Sequence, residues 1–414
     1  MRQGRSFYFW RHFILGFGII ILFWGCFHSP LNSTCDPNSS SYNQTLVILL
    51  GTGSNADFCG NKIQNPFKKI KTPRFLLVTN VGLNTATSSI NVFRIEPITG
   101  EITQVSGSPF QMTDRPRHTV SNESGTTVYV ANIGNTSISI LNLDPETGAL
   151  SVKHPNVSVS TTPYSLAMDP GGKFLYASSE TTQAIHRFAI DQSGNLSSLL
   201  PSTTTNNPNT GAVGRLSVDS MGRHLYAGLT SASGYSGGIQ TFAMNPNTGE
   251  LTPVSVIQTG QNNLSVAITP DGQYVYGANY FSNNVFSLVR DLNNGTLTIY
   301  SNHSTGIAPG FTMTDSLNRF VFVANSGTGQ GTISAYSIQS SNGELTSVIG
   351  SPFPSGLSPI GLSSDPLGKF LYSSNTEGGN VSGYTIGFDG SLAPISGFPV
   401  TAGINPFSIE MVSY

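Results

Sequence analysis

Among the side chains of this 414-residue chain that can move a proton or hold an anion, one small group stands apart. Pro116-Arg117-His118 sets a guanidinium beside an imidazole, the side chain that ordinarily titrates near neutrality. Arg215 adds a second cation and Glu180 a carboxylate. Opening an ester or lactone needs a base for water and a positive group where the carbonyl oxygen gathers charge. In that chemistry His118 is the base, Arg215 or Arg117 the electrostatic partner, and Glu180 the group that orients them. Arg117, Tyr164 and Phe311 are the accompanying candidates for ligand contact. A plainer reading competes: His118 bonds a neighbouring backbone, and Arg215 pairs with a carboxylate to hold two structural units together.

Other chemistries find less support. The seven histidines show no close His/Cys/Asp pairing of zinc spacing, so no metal is expected. Neither a Gly-x-Ser-x-Gly elbow nor a phosphate loop occurs, and no cofactor is expected. Gly327-Thr328-Gly329-Gln330-Gly331 is glycine-rich but has no helix after it, and reads as a flexible turn. With 19 Lys+Arg against 21 Asp+Glu the chain lacks the basic excess of a nucleic-acid binder. The expected partner is a small molecule or else a surface protein, and the family resemblance below implies a sugar or lactone for the first.

What positions these residues is a repeat. Only 10% of the chain is charged, while 45 Gly and 24 Pro punctuate it, which excludes a helical bundle. From Pro73 an aromatic or apolar triplet recurs: Phe75-Leu76-Leu77, Thr127-Val128-Tyr129, Phe174-Leu175-Tyr176, His224-Leu225-Tyr226, Tyr274-Val275-Tyr276, Phe320-Val321-Phe322 and Phe370-Leu371-Tyr372. A second marker, a glycine with Leu or Ile two residues on, falls at 100, 148, 194, 249, 295, 343 and 390. Two markers, each in seven copies some 46 to 55 residues apart, indicate propeller blades. Each copy reads as four strands: one led by Pro, then the triplet strand, an alternating strand and a last strand after a Pro/Gly turn. The Asp and Asn residues of these turns are turn formers, since calcium-loop spacing is absent. The first copy lacks its Pro-led strand, and Pro406-Phe407-Ser408-Ile409-Glu410-Met411 supplies one at the tail. Residues 73–414 are therefore expected to form an all-β, seven-bladed propeller of four-stranded blades, closed by the C-terminal strand completing the first blade.

Counting thirteen back from each triplet's third residue aligns the Pro-led strands at Pro116, Pro163, Val213, Asn263, Pro309, Pro359 and Pro406. Two residues further on stand His118, Ser165, Arg215, Ser265, Phe311, Gly361 and Ser408. Near a narrow axis small residues are expected, so His118, Arg215 and Phe311 mark a place to look for a ligand. The loops between second and third strands and the linkers between blades share one end, and the binding face is expected there.

Residues 1–25 read as a signal peptide, with Arg2, Arg5 and Arg11 before the apolar run Phe13 to Trp24. Gly25-Cys26 resembles a bacterial lipoprotein signal, which implies lipidation of Cys26 and a membrane partner through that anchor. Residues 26–72 would then be a tether, stapled by a Cys35–Cys59 disulfide in an oxidising compartment. The expected location is the bacterial cell envelope, at the outer membrane or cell surface.

Tyr129-Val130-Ala131-Asn132, Phe322-Val323-Ala324-Asn325 and Leu77-Val78-Thr79-Asn80 resemble the Tyr-Val-Thr-Asn signature of seven-bladed surface-protein propellers. The Gly-Lys-Phe-Leu-Tyr and Thr-Gly-Glu-Leu-Thr phrases resemble the lactonase (6-phosphogluconolactonase-like) family. Members of that family open sugar lactones or cycloisomerise muconates, and many are surface proteins. Pro116-Arg117-His118 matches the family's Pro-x-His phrase, which implies a place for His118 in the active site. Where sugar lactonases carry Asp-Leu-Gly-x-Asp-Arg, this chain has Ser179-Glu180-Thr181-Thr182-Gln183-Ala184, so the resemblance does not extend to phosphorylated sugars. It implies an envelope-anchored binding scaffold first, a lactone hydrolase using His118 and Arg215 second, and a structural cell-surface protein third.

Overall fold

The computed structural model describes residues 72–205, 210–231, 237–327 and 329–414, with the backbone pairing of Asp57–Phe58 and Asn61–Lys62 before them. The proposed signal segment, Cys26 and the Cys35–Cys59 pair lie outside the described residues. The unit from Lys71 to Tyr414 is a ring of seven antiparallel sheets. Among the described residues the only helical turn is a 3-10 segment at Thr85–Thr87, and no helix is long and apolar enough to cross a membrane.

The blades are numbered from Pro73. The first uses Pro73–Asn80, Ser89–Ile95 and a broken outer strand, and takes Pro406–Ser413 as its innermost strand. The second to seventh begin with Pro116–Ser121, Pro163–Met168, Thr210–Val218, Asn263–Ile268, Pro309–Thr314 and Pro359–Ser364. Closure is direct: Leu76 pairs with Met411, Val78 with Ile409 and Asn80 with Pro406. In the first, sixth and seventh blades the fourth strand is split in two. The split falls at Pro109, Pro352 and Pro399, which lack the N–H a continuous ladder requires.

The two markers of the repeat touch each other. Each marker glycine turns at φ between +67° and +86°, a left-handed conformation that a side chain resists. It also lies flat on the first triplet residue of the preceding blade. A Cβ on Gly148 would meet the Phe75 ring at 2.5 Å, and one on Gly343 the Tyr274 ring at 2.3 Å. The third triplet residue then ties the same turn. Tyr129, Tyr176, Tyr226, Tyr276 and Tyr372 donate their hydroxyls to the carbonyls of Gly194, Gly249, Gly295, Gly343 and Gly100. Every such bond runs to the next blade, so the spacing of the markers records contact between blades.

The asparagine of the Tyr-Val-Thr-Asn-like phrase has its own work. Asn132 Nδ2 donates to Ser137 and Ser139, and Asn325 to Thr332 and Ser334, closing the hairpin from second to third strand. Turn aspartates Asp169, Asp219, Asp315 and Asp365 accept the backbone N–H groups four and five residues on. No central core exists. Seven separate apolar clusters lie one at each interface between blades, such as Phe75, Leu77, Val128 and Val130 between the first and second. The packing leaves the axis to the innermost strands.

Candidate functional site

At the end of the ring that carries the linkers and the second-to-third-strand loops, a cavity of about 330 Å³ opens on the axis. Six of the residues that line it share one position of the repeat. Arg117, Tyr164, Leu264, Gly310, Ile360 and Phe407 all stand one residue after the start of the aligned Pro-led strand. The seventh equivalent is Gly214, which contributes no side chain. Arg215 reaches the cavity from the following position.

Residues two after the aligned start turn mainly to the next blade. Ser165 Oγ accepts from the Leu216 N–H at 3.4 Å and Ser265 Oγ from the Thr312 N–H at 2.9 Å. His118 does the same through Nδ1, which accepts from the Leu166 N–H at 3.2 Å. The first half of the plainer reading describes this contact. Burial holds the imidazole well below its ordinary titration range, and Arg215 and Arg117 push the same way. A neutral ring whose Nδ1 accepts carries its hydrogen on Nε2. His118 is thus arranged to donate from Nε2.

Arg117 is held on three sides. Its Nη1 meets Glu180 Oε1 at 2.6 Å, and its guanidinium carbon lies 4.5 Å from the Tyr164 ring centre and 4.4 Å from that of Phe407. The two rings stand nearly perpendicular, 6.5 Å apart. Glu180 sits in the third blade's loop, where its N–H bonds the Thr162 carbonyl. The structure therefore joins Arg117, Tyr164 and Glu180 in one cluster.

Arg215 is different. Only 4% of it is exposed, yet no carboxylate lies within ion-pair distance among the described residues. Its Nε has no partner, and Nη2 makes one long bond, 3.4 Å, to the Ile360 carbonyl. Phe311 stacks 4.4 Å from its guanidinium carbon and Phe407 5.8 Å. Burial, with a smaller push from Arg117, lowers its pKa to about 10. Aromatic faces compensate a cation only in part. What remains is a positive charge with free donors at a cavity wall, suited to an oxyanion or a polarised carbonyl.

Of the residues singled out in the sequence, Arg117, Tyr164 and Arg215 line the cavity, whereas His118, Phe311 and Glu180 do not; Phe407, which lines it and touches both arginines, was not singled out. The same alignment advanced by one residue less would have found it, together with Leu264 and Ile360. No cluster of three or more metal-ligating side chains occurs among the described residues.

A family model described as Lactonase, 7-bladed beta-propeller matches residues 69–162, 123–213, 198–294 and 282–403. A 6-phosphogluconolactonase of Sodalis glossinidius is 25% identical over 159 residues, covering 37% of this chain and 46% of that protein. The chain thus matches about half the length of this curated relative. Among solved structures, the periplasmic gluconolactonase of Pseudomonas aeruginosa aligns with a TM-score of 0.68 and 16% identity, over 81% of this chain and 99% of that one. A Bacteroides uniformis protein provisionally named a 6-phosphogluconolactonase aligns with a TM-score of 0.72 and 18% identity, over 82% and 100%. At such identities the likeness is one of fold.

Proposed function

This chain belongs to the lactonase family of seven-bladed β-propellers, and we propose that it binds a lactone, or the hydroxy acid a lactone opens to, in the axial cavity. One observation carries the reading: Arg215, buried and without a counter-ion, keeps unpartnered donors at the cavity wall. An isolated buried charge is costly to keep. A ligand oxygen bearing full or partial negative charge would offset that cost. The cavity is at the small end of the ligand-pocket range, the size for a compact ring. Arg117, stacked between Tyr164 and Phe407, would orient the ligand from the side.

The test is calorimetric titration of the full chain with glucono-lactone and with gluconate. Binding should appear for the wild type and fall at least tenfold in Arg215→Met. Equal affinity in the variant would remove the proposal's basis.

A second reading, lactone hydrolysis, draws on the family and on Glu180, a carboxylate paired with the cavity-lining Arg117. Water would add to the carbonyl carbon as Glu180 takes its proton, with Arg215 facing the developing oxyanion. The ring C–O bond then breaks, the alkoxide takes the proton that Glu180 holds, and the carboxylic acid so formed gives its own proton to solvent. His118, neutral, would donate a hydrogen bond from Nε2 and keep its proton. A pH-stat assay over sugar and aromatic lactones should show turnover that Glu180→Gln and His118→Ala each reduce; no turnover on any lactone leaves binding alone. We further propose export and lipid anchoring at Cys26, on the basic start and apolar run before it. Fatty-acid labelling that is equal in wild type and Cys26→Ser would exclude the anchor.

A further inference from the structure

The mouth of the cavity has two unlike halves. In most blades the first residues after the second strand bond back to the linker in two steps. The inner step lines the cavity: Tyr280 N–H to Asn262, Ser326 to Ala308 and Thr376 to Ser358. The outer step follows one residue on in the loop, two in the seventh blade: Phe281 N–H to Gln261, Gly327 to Ile307, Gly378 to Leu357 and Gly82 to Ile404. Four neighbouring blades, the fifth, sixth, seventh and first, thereby present Phe281, Ile307, Leu357 and Ile404, exposed by 63%, 65%, 44% and 42%. The matching linker residues of the second and third blades are Asp114 and Thr161. The linker residues that follow Ile307, Leu357 and Ile404 hold left-handed φ values of 53° to 56°. Such geometry is disfavoured for a residue with a side chain, and here it turns an aliphatic group outward on three consecutive blades. Arg117 with Glu180 lies toward the other side, while the Arg215 guanidinium rests against Phe311 of the sixth blade and the Ile360 carbonyl of the seventh.

We propose that the ligand is amphipathic: a carboxylate or lactone head on Arg215 with an alkyl or aryl arm laid across Phe281, Ile307 and Leu357. This rests on the lactone-binding reading and narrows its substrate class away from fully hydroxylated sugars. Exposed apolar side chains on neighbouring blades, together with a free buried cation, match such a molecule in polarity.

The experiment titrates the full chain with gluconate and with straight-chain carboxylates from butanoate to decanoate, each below its micellar concentration. The proteins are wild type, Arg215→Met and the surface double variant Phe281→Ser/Ile307→Ser, whose melting should match wild type. Affinity for wild type should climb by up to about fourfold per methylene, the full-burial value, and exceed that for gluconate. The double variant should flatten the climb without changing butanoate binding, and Arg215→Met should weaken every acid alike. Binding that needs Arg215 but ignores chain length overturns the amphipathic proposal and leaves the axial site standing. Affinities that are unchanged in Arg215→Met, climb included, show hydrocarbon held without the head group and overturn both, as does the absence of any binding.

Discussion

Two arginines of this ring are equally hidden, Arg290 at 5% exposure and Arg215 at 4%, and they could hardly be used more differently. Arg290, between the fourth and fifth blades, has every nitrogen engaged. Its Nη2 meets the Asp219 carboxylate, Nε the Tyr226 hydroxyl at 2.6 Å and Nη1 the Gly272 carbonyl at 3.0 Å. Asp219 in turn accepts from His224 Nδ1 at 3.1 Å and from the turn's backbone. Arg215 has two ring faces and one long bond. A charge that serves the fold is saturated by it. One left open at a cavity is what the proposed ligand reading rests on.

That contrast can be broken most sharply at Arg290. Arg290→Met leaves Asp219 buried without its cation and should cost about 3 kcal/mol in denaturant unfolding, with ligand affinity unaltered. Arg215→Met should do the reverse: stability equal to wild type or higher, and affinity reduced tenfold or more in the same calorimetric titration. Matching stability losses in both variants would erase the distinction. Tyr226→Phe probes the saturated side more gently, since it removes one hydroxyl bonded to both Arg290 and Gly295; about 1 kcal/mol is expected.

The smallest effect concerns a buried carboxylate, Glu410 on the closing strand. Its Oε1 accepts from the Ser121 N–H and hydroxyl at 2.6 and 2.7 Å, while Oε2 has no partner. Burial raises its pKa against the lowering by Ser121 and Thr119. The folded ring therefore holds this proton more tightly than the unfolded chain does. Its contribution is complete below the ordinary carboxylate range and fades as pH rises through the raised value. Unfolding free energy measured across that interval should decline in wild type relative to Glu410→Gln; parallel curves would assign the proton elsewhere.

Much of the fold was legible because the markers are interface residues. A glycine that must lie on its neighbour's aromatic ring cannot drift in position, so the period survives in the sequence. The blade count, the strand order and the closing strand follow from it. The site was legible only to within one residue. Alternation along a strand says which residues share a face, but which face meets the axis depends on how the blade is tilted in the ring. The aligned position with His118 and Arg215 drew attention by its bulk, yet its smaller members bond the adjoining strand. The position before it, with Tyr164 and Phe407, makes the wall. The apolar residues were not legible at all, since Ile307 and Ile404 fall in linkers and Leu357 at the end of a short strand, where hydrophobic pattern carries no period.

The joining of Pro406–Ser413 to Pro73–Asn80 also has a consequence in time. Strand Pro73–Asn80 is among the first parts of the ring to leave the ribosome and its inner partner among the last, more than three hundred residues later. Throughout that interval its hydrogen-bonding edge is bare, an open template of the kind that recruits stray strands. A synthesis stalled anywhere in the seventh blade would release six nearly finished sheets with both rims unsealed. Whatever cell makes this protein must therefore shelter an arc before it owns a circle.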